Sequence, residues 1–113
     1  MEESILLCIK KMLGLEADYN AFDTDVIVFI NGAILAANQI GVGAEGFVVT
    51  GNNETWSDFL GDNYPQLEAV KQYIYMRVRL GFDPPANSFV VTSMEKQLDE
   101  MTWRLNVRAE AVT

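Results

Sequence analysis

The sequence predicts a mainly α-helical fold, a compact bundle of about four helices, and three observations support this prediction. Half of the 113 residues are hydrophobic, which is enough for the core of one ordinary domain. Apolar residues recur at three- and four-residue steps in four separate stretches. Glycine or proline stands near the ends of these stretches, where helices begin and stop. We expect one helical domain over residues 1–106 and a flexible C-terminal tail over residues 107–113, which show no such period.

The first and third helices have clear boundary signals. Ser4 is a capping residue directly before the first apolar stripe, and Gly14 follows that stripe where a C-terminal cap belongs. The third helix should start near Pro65, because proline suits the first helical turn, and it should end at Gly81. Asp83-Pro84-Pro85 then forms a stiff, extended break between two helices.

The second helix is predicted as the centre of the core. Asp23 or Thr24 can cap it, its apolar stripe keeps the helical period, and it stops at Gly41. A β-hairpin is the alternative, because residues 26–30 are mostly β-branched and Asn31-Gly32 is a strong turn signal. We favour the helix because the apolar stripe passes through the Asn-Gly pair without changing phase.

An irregular segment, residues 41–63, separates helices two and three. It is rich in Gly, Asn and acidic residues, with a candidate short strand at residues 47–50 and a candidate helical turn at residues 55–60.

The last helix has two candidate starting points. It begins near Asn87 or Ser88, or only at Thr92, which forms a capping-box pattern with Glu95. One apolar stripe, which includes Leu98 and Leu105, predicts that a single face of this helix packs on the core.

Charge and composition exclude several classes of function. The net charge is −8, and nine acidic residues but no Lys or Arg lie between residues 12 and 70, which opposes binding to phosphate backbones. With no histidine and a single cysteine, Cys8, the chain cannot build a His-based triad, a Cys/His zinc site or an intrachain disulfide. The apolar stretch from Ile5 to Ile9 is too short for a membrane span. We expect an intracellular, soluble protein with no catalytic residues, no bound metal and no cofactor.

Two patterns that suggest chemistry have simpler explanations. Residues 41–46 match G-x-G-x-x-G, but they follow a helix and precede a strand-like run, whereas a dinucleotide site needs the opposite order. A helix cap followed by a flexible loop explains these glycines better. Neighbouring carboxylates such as Asp23 and Asp25 could act as an acid and a base, but their place in a first helical turn indicates solvated charge.

Aromatic and arginine side chains are the candidate interaction residues. Trp56 and Phe59 lie in an aromatic loop that could dock onto a partner, and the alternative is that they close the edge of the core. Arg77 and Arg79 are two positions apart on one helix and cannot share its buried face. At least one of them is therefore expected to pair with acidic residues, across an interface or within the fold.

Several short segments, in a fixed order, carry a resemblance to a known family. The most specific is Arg-Leu-x-x-Asp-Pro-Pro at residues 79–85, between two helices. With the other segments, it resembles the small head-tail connector proteins of long-tailed bacteriophages and prophages, also called head completion or adaptor proteins. The other segments are residues 5–15, 22–25 with 30–31, 39–43, 55–59, 94–98 and 103–106.

The resemblance implies a structural virion protein without enzyme activity or membrane contact. Members of the family form a ring, usually dodecameric, under the portal protein at the head-tail interface, after synthesis in the host bacterial cytoplasm. The ring extends the channel through which DNA passes without specific binding, and it offers a docking platform to the stopper or tail-completion protein. In this family the C-terminal segment is thought to reach toward the portal, whereas residues 41–63 would face the ring neighbour or the next protein. The C-terminal residues concerned would be Trp103, Arg104, Asn106, Arg108 and Glu110.

Two other functions fit parts of the sequence. An acidic DNA mimic, which inhibits a nucleic-acid-binding host protein by presenting carboxylates in place of phosphates, explains the charge. It does not explain the Asp-Pro-Pro break, the aromatic loop or the basic residues of the C-terminal half. A small enzyme that uses carboxylates alone has even less support, because solvated charge explains the neighbouring carboxylates better.

Overall fold

Two antiparallel helices, α2 (Asp23–Gln39) and α4 (Leu67–Phe82), pack along each other at the centre of the molecule. The computed structural model describes residues 4–112, with the side chains of residues 4–109. Helix α1 (Ile5–Met12) packs across both central helices, and α5 (Ser88–Val112) lies along α4. The short α3 (Trp56–Leu60) lies in the connection between α2 and α4. This arrangement confirms the predicted helical bundle.

The core lies between α1, α2 and α4, and the apolar stripes seen in the sequence form it. Burying these aliphatic and aromatic side chains supplies the main driving force for folding. The residues of the three helices that are buried in this core are Ile5, Leu6, Cys8, Ile9, Val26, Ile30, Ala33, Ile34, Ala37, Val70, Tyr73, Ile74 and Val78.

The ends of α1 match the prediction, whereas the start of α2 does not. The Ser4 hydroxyl accepts a hydrogen bond from the Leu7 amide at 3.3 Å, and Gly14 takes a positive φ of 84° just after the helix. Neither Asp23 nor Thr24 caps α2, because the cap position is Phe22 and no side chain bonds there. Asn31-Gly32 lies in the middle of α2, which rules out the hairpin.

The boundaries of α4 and α5 shift slightly from those predicted. Helix α4 starts at Leu67 instead of near Pro65, and it includes Gly81 before ending at Phe82. Helix α5 starts at Ser88, since the Asn87 side chain accepts a hydrogen bond from the Phe89 amide at 2.8 Å. The Thr92 pattern therefore lies inside the helix.

The C-terminal end of α5 extends beyond the boundary predicted for the domain. The backbone is helical through Val112, so no change of structure marks the expected division after residue 106. Residue 113 lies outside the described residues. The flexibility of the segment 107–113 stays a prediction.

Asparagine side chains, not strand pairing, hold the irregular segment 41–55 in place. The Asn31 side chain accepts a hydrogen bond from the Val49 amide at 2.7 Å and donates one to the Val49 carbonyl at 3.0 Å. The side-chain amide of Asn38 donates hydrogen bonds to the carbonyls of Val42 and Ala44. The candidate strand at residues 47–50 is therefore wrong: its backbone groups bond to a helix side chain, and the described residues contain no sheet. The predicted helical turn is α3.

The end of this segment is tied to α1. The Ile5 amide donates to the Glu54 carbonyl at 3.0 Å, next to an isolated bridge between Ser4 and Thr55. The Thr50 hydroxyl donates to the Glu54 carboxylate at 2.6 Å, and this bond holds the pKa of Glu54 below its usual value. The carboxylate thus closes the loop by bonding back to residues 50 and 51.

A buried lysine joins α1, the connection that follows it and the start of α2. The Lys10 side chain is only 1% exposed, and its Nζ lies 2.9 Å from Asp23 Oδ1. The same Nζ donates a hydrogen bond to the Ala17 carbonyl at 3.1 Å. A buried ammonium group is tolerated only when it is paired and hydrogen-bonded. The two contacts therefore fix where residues 13–22 cross the end of the bundle.

We expect Asp23→Ala to lower the free energy of unfolding by about 3 kcal/mol, because it leaves the Lys10 ammonium buried without its carboxylate. Asp25→Ala is the matched control, since it removes an exposed carboxylate from the same helical turn and should cost about 0.5 kcal/mol through the helix dipole. Urea denaturation of both variants measures the difference. Equal losses would contradict the role given to the Lys10–Asp23 pair.

Candidate interaction surfaces

Four aromatic rings meet on the surface where α2 begins and α4 ends. The Phe22 ring makes edge contacts with Tyr19 and with Phe82, and its centroid lies 5.9 Å from that of Tyr19 and 5.6 Å from that of Phe82. The centroids of Phe82 and Phe29 are 6.3 Å apart. Tyr19, Phe22 and Phe29 keep 45%, 42% and 36% of their surface exposed. Exposed aromatic clusters are typical of protein interfaces, where Tyr, Trp and Phe are enriched. We call these four residues the aromatic surface.

Two local features position the rings of the aromatic surface. Lys10 fixes the connection that carries Tyr19 and Phe22, as described above. The Phe29 ring packs against Gly81 of α4, where a Cβ would come within 2.6 Å of that ring. Gly81 therefore marks a close helix contact, not the helix end that the sequence predicts.

Carboxylates flank the aromatic surface in the chain. Asp18 directly precedes Tyr19, and Asp83 directly follows Phe82, and both are exposed. Asp25, in the first turn of α2, is exposed as well. An apolar centre with an acidic surround favours a partner that offers apolar area together with Lys or Arg.

A groove of about 250 Å³ lies at the opposite end of α4, between its first turn and the C-terminal part of α5. Its floor is apolar and its rim carries two arginines, of which Arg104 forms an ion pair with Glu100 one turn earlier. Arg108 is exposed and has no ion pair within the residues that the structure describes. We call this site the C-terminal groove, and it is lined by Gln66, Ala69, Met101, Arg104, Leu105 and Arg108.

Trp103 and Asn106, two predicted interface residues, have different places on α5. Trp103 is 66% exposed and points away from the bundle, two residues from Leu105, which is buried. Asn106 instead donates its side-chain amide to the Ile40 carbonyl at 3.2 Å and fixes α5 to the end of α2. Trp103 is therefore available to a partner, whereas the Asn106 side chain already has a structural bond. The Glu110 side chain lies outside the described residues.

Trp56 and Phe59 do not form an exposed docking loop. They are 5% and 1% exposed and belong to the core, with Phe59 packed beside Phe47 at 5.2 Å between ring centroids. The alternative reading of these residues, closure of the core, is the one that the structure supports. Phe59 also lies against Gly43, where a Cβ would come within 2.2 Å of its ring, which explains a glycine in the G-x-G-x-x-G pattern.

Arg77 and Arg79 differ in their surroundings. Arg79 donates to the Asp83 carbonyl at 2.6 Å and to the Tyr75 hydroxyl at 3.3 Å, so it closes the end of α4. Arg77 is exposed and lies over the Tyr73 ring, 5.7 Å from its centroid. Within the described residues neither guanidinium meets a carboxylate, so the pairing of these arginines with acidic residues stays a prediction.

Other kinds of site find no support in the described part of the chain. Residues 4–109 contain no group of three acidic or thiol side chains placed to hold a metal ion. None of the described helices is both long and apolar enough to cross a membrane.

The aromatic surface is not predicted from the sequence, and of the residues that line the C-terminal groove only Arg104 and Arg108 are predicted as interface residues. The four rings come from separate parts of the chain, and none stood out alone. The signal that could have found them is the pair Gly81 and Phe82 before the Pro-Pro break: a helical glycine is costly unless another group packs on it.

The chain belongs to the phage connector protein family, whose model matches residues 5–112. The family predicted from the sequence is thereby confirmed, and the protein has a structural role as a connector in the phage particle. The searches of curated proteins and of solved structures gave no match.

We expect Gly81→Ala to displace the Phe29 ring and break its contact with Phe82, because the new Cβ would overlap that ring. Gly32→Ala is the control, since Gly32 lies in α2 with open space around it. The control should raise the free energy of unfolding by about 0.5–1 kcal/mol through helix propensity, and Gly81→Ala should not. Aromatic proton shifts and urea denaturation measure both effects. Unchanged Phe82 shifts in Gly81→Ala would contradict the contact.

Proposed function

We propose that this protein forms a ring beneath the portal of the filled phage head, extends the DNA channel and provides the docking platform for the stopper or tail. The observation that carries the proposal is the family match, which covers nearly the whole chain. The two separate surfaces at opposite ends of α4 support it, because a ring subunit needs two different, complementary contacts.

The distribution of charge supports a role beside passing DNA. Most carboxylates between residues 12 and 70 are exposed, and that part of the chain has no Lys or Arg. Such a surface repels the phosphate backbone, so DNA can slide past it without sticking. The same charge also fits a DNA mimic, but a mimic has no need for an exposed aromatic surface.

The C-terminal part of α5 is the best candidate for contact with the portal. Trp103 is 66% exposed, whereas the other tryptophan, Trp56, is buried. Val107, which is 40% exposed, lies one turn further along the same side of the helix. A large aromatic residue on an exposed helix face is typical of a binding hot spot. We therefore assign Trp103 to the portal contact.

The proposal is tested with DNA-filled heads that carry the portal but lack this protein. After the purified protein is added, electron microscopy should show an added ring of density at the portal vertex. Heads incubated with an unrelated acidic protein of similar size are the control. No added density, together with recovery of the protein on a basic host nuclease, would contradict the connector role and favour the DNA mimic.

We expect Arg77→Glu to weaken ring formation or portal docking without unfolding the subunit, because Arg77 is exposed and bonds to no carboxylate in the described fold. Vertex density and circular dichroism measure the two properties. Arg79→Glu should also disturb the end of α4, since it loses the bonds to Asp83 and Tyr75. Gln72→Glu, an exposed position of the same helix, is the control. Full vertex density with Arg77→Glu would contradict an interface role for Arg77.

A further inference from the structure

We infer that the aromatic surface of one subunit docks into the C-terminal groove of a second copy of this chain, with Tyr19 and Phe22 as the entering side chains. This inference rests on the proposed ring and identifies the contact between its subunits. It assigns Trp103, on the other side of α5, to a different partner.

The position of the two sites within the fold requires a second copy. The aromatic surface includes Phe82 at the C-terminal end of α4, whereas the groove begins at Gln66, directly before α4. The helix between them has 16 residues and is about 24 Å long. The two sites therefore cannot meet within one molecule. When the aromatic surface of one copy pairs with the groove of another, each copy still has one unused site. The contacts therefore continue from subunit to subunit and close as a ring where the rotation between neighbours allows it.

The shapes of the two sites fit each other. The rings of Tyr19 and Phe22 are nearly half exposed at one end of the molecule. The groove has a volume of about 250 Å³, which is large enough for an aromatic ring, and its floor includes Met101, Leu105 and Ala69. Aromatic anchors that fill an apolar pocket are the usual centre of a protein interface.

The charges of the two sites are also complementary. Exposed carboxylates of Asp18, Asp25 and Asp83 lie close in sequence to the aromatic residues, and no basic residue occurs between residues 12 and 70. Arg79, in the last turn of α4, bonds to the Asp83 carbonyl at the same end. The groove carries Arg104 and Arg108 on its rim. A guanidinium group there can pair with the incoming carboxylates and can also lie over an aromatic ring. Arg108 has no ion pair within the described residues, so its charge is available to a neighbouring subunit.

The test uses cysteines placed at the edge of the two sites, and the aromatic residues and arginines of the proposed contact are kept. Ala21 is exposed between Tyr19 and Phe22, and Gln66 lines the groove without capping α4 through its side chain. The native Cys8 is buried and serves as the background. Rings of the double variant A21C/Q66C on portal-bearing heads are treated with a short thiol-specific crosslinker and separated by denaturing electrophoresis.

We expect a ladder of covalent multimers that extends beyond the dimer, because each subunit is joined to two different neighbours. The single variants A21C and Q66C should give no ladder. The control L35C/Q66C places the first thiol on an exposed position near the C-terminal end of α2, outside the aromatic surface, and it should give none either. Adding R108E should remove most of the ladder, whereas K96E, an equal change of charge on an exposed part of α5 outside the groove, should leave it unchanged.

Three results would overturn the inference. One is vertex density in the electron microscope without a ladder from A21C/Q66C, which would leave the proposed function intact. Another is a covalent dimer from A21C alone, which would indicate a two-fold contact between aromatic surfaces. The third is a conjugate of Q66C with the portal protein, which would assign the groove to the portal. Failure of the wild-type protein to add density at the vertex would instead contradict the proposed function itself.

Discussion

The buried contact of Lys10 with Asp23 is the interaction on which the end of the molecule with the aromatic surface depends. The Lys10 Nζ lies 2.9 Å from the Asp23 carboxylate and 3.1 Å from the Ala17 carbonyl. This one ammonium group therefore joins α1, the connection that follows it and the start of α2. An ammonium group in the core is stable only in an arrangement that satisfies it, which makes this contact selective for one path of the chain. Residues 13–22 follow that path and bring Tyr19 and Phe22 to the surface beside Phe82.

Side-chain amides play a similar part at the other end of the bundle. Asn31 and Asn38 bond to the backbone of residues 42–49, and Asn106 bonds to Ile40. These bonds satisfy backbone groups that have no strand partner, so an irregular segment can pack on helices without forming a sheet. They also fix the C-terminal part of α5 against the end of α2. The groove between α4 and α5 owes its position to this attachment.

The proposed ring has to hold its neighbours together while DNA passes, and the distribution of features along this chain fits both tasks. The apolar and arginine-bearing groups gather at two ends of α4, where they can contact proteins. Carboxylates dominate the exposed surface of residues 12–70, where they would repel DNA. The described fold uses few ion pairs of its own, so most of these charges stay available to act on other molecules.

The amino-acid sequence by itself determined the helical class, the approximate position of every helix and the family. The spacing of apolar residues, the helix caps and the proline breaks between helices are local properties of the chain. Ser4, Gly14 and the Asp-Pro-Pro break could therefore be interpreted without knowing what lies next to them in space. The same local signals misplaced the start of α2, because Asp23 bonds to Lys10 instead of capping the helix. They also suggested a strand at residues 47–50, where the partner is the side chain of Asn31.

Only the tertiary structure decided which residues form surfaces. Trp56 and Phe59 looked like an exposed loop because tryptophan and phenylalanine are common both in cores and at interfaces, and the packing of α3 settled their burial. The aromatic surface combines Tyr19 and Phe22, which precede α2, with Phe29 of α2 and Phe82 at the end of α4. A sequence pattern within one segment cannot indicate that residues of separate segments are in contact. Exposure and proximity arise from how the helices pack, which depends on contacts between residues far apart in the chain.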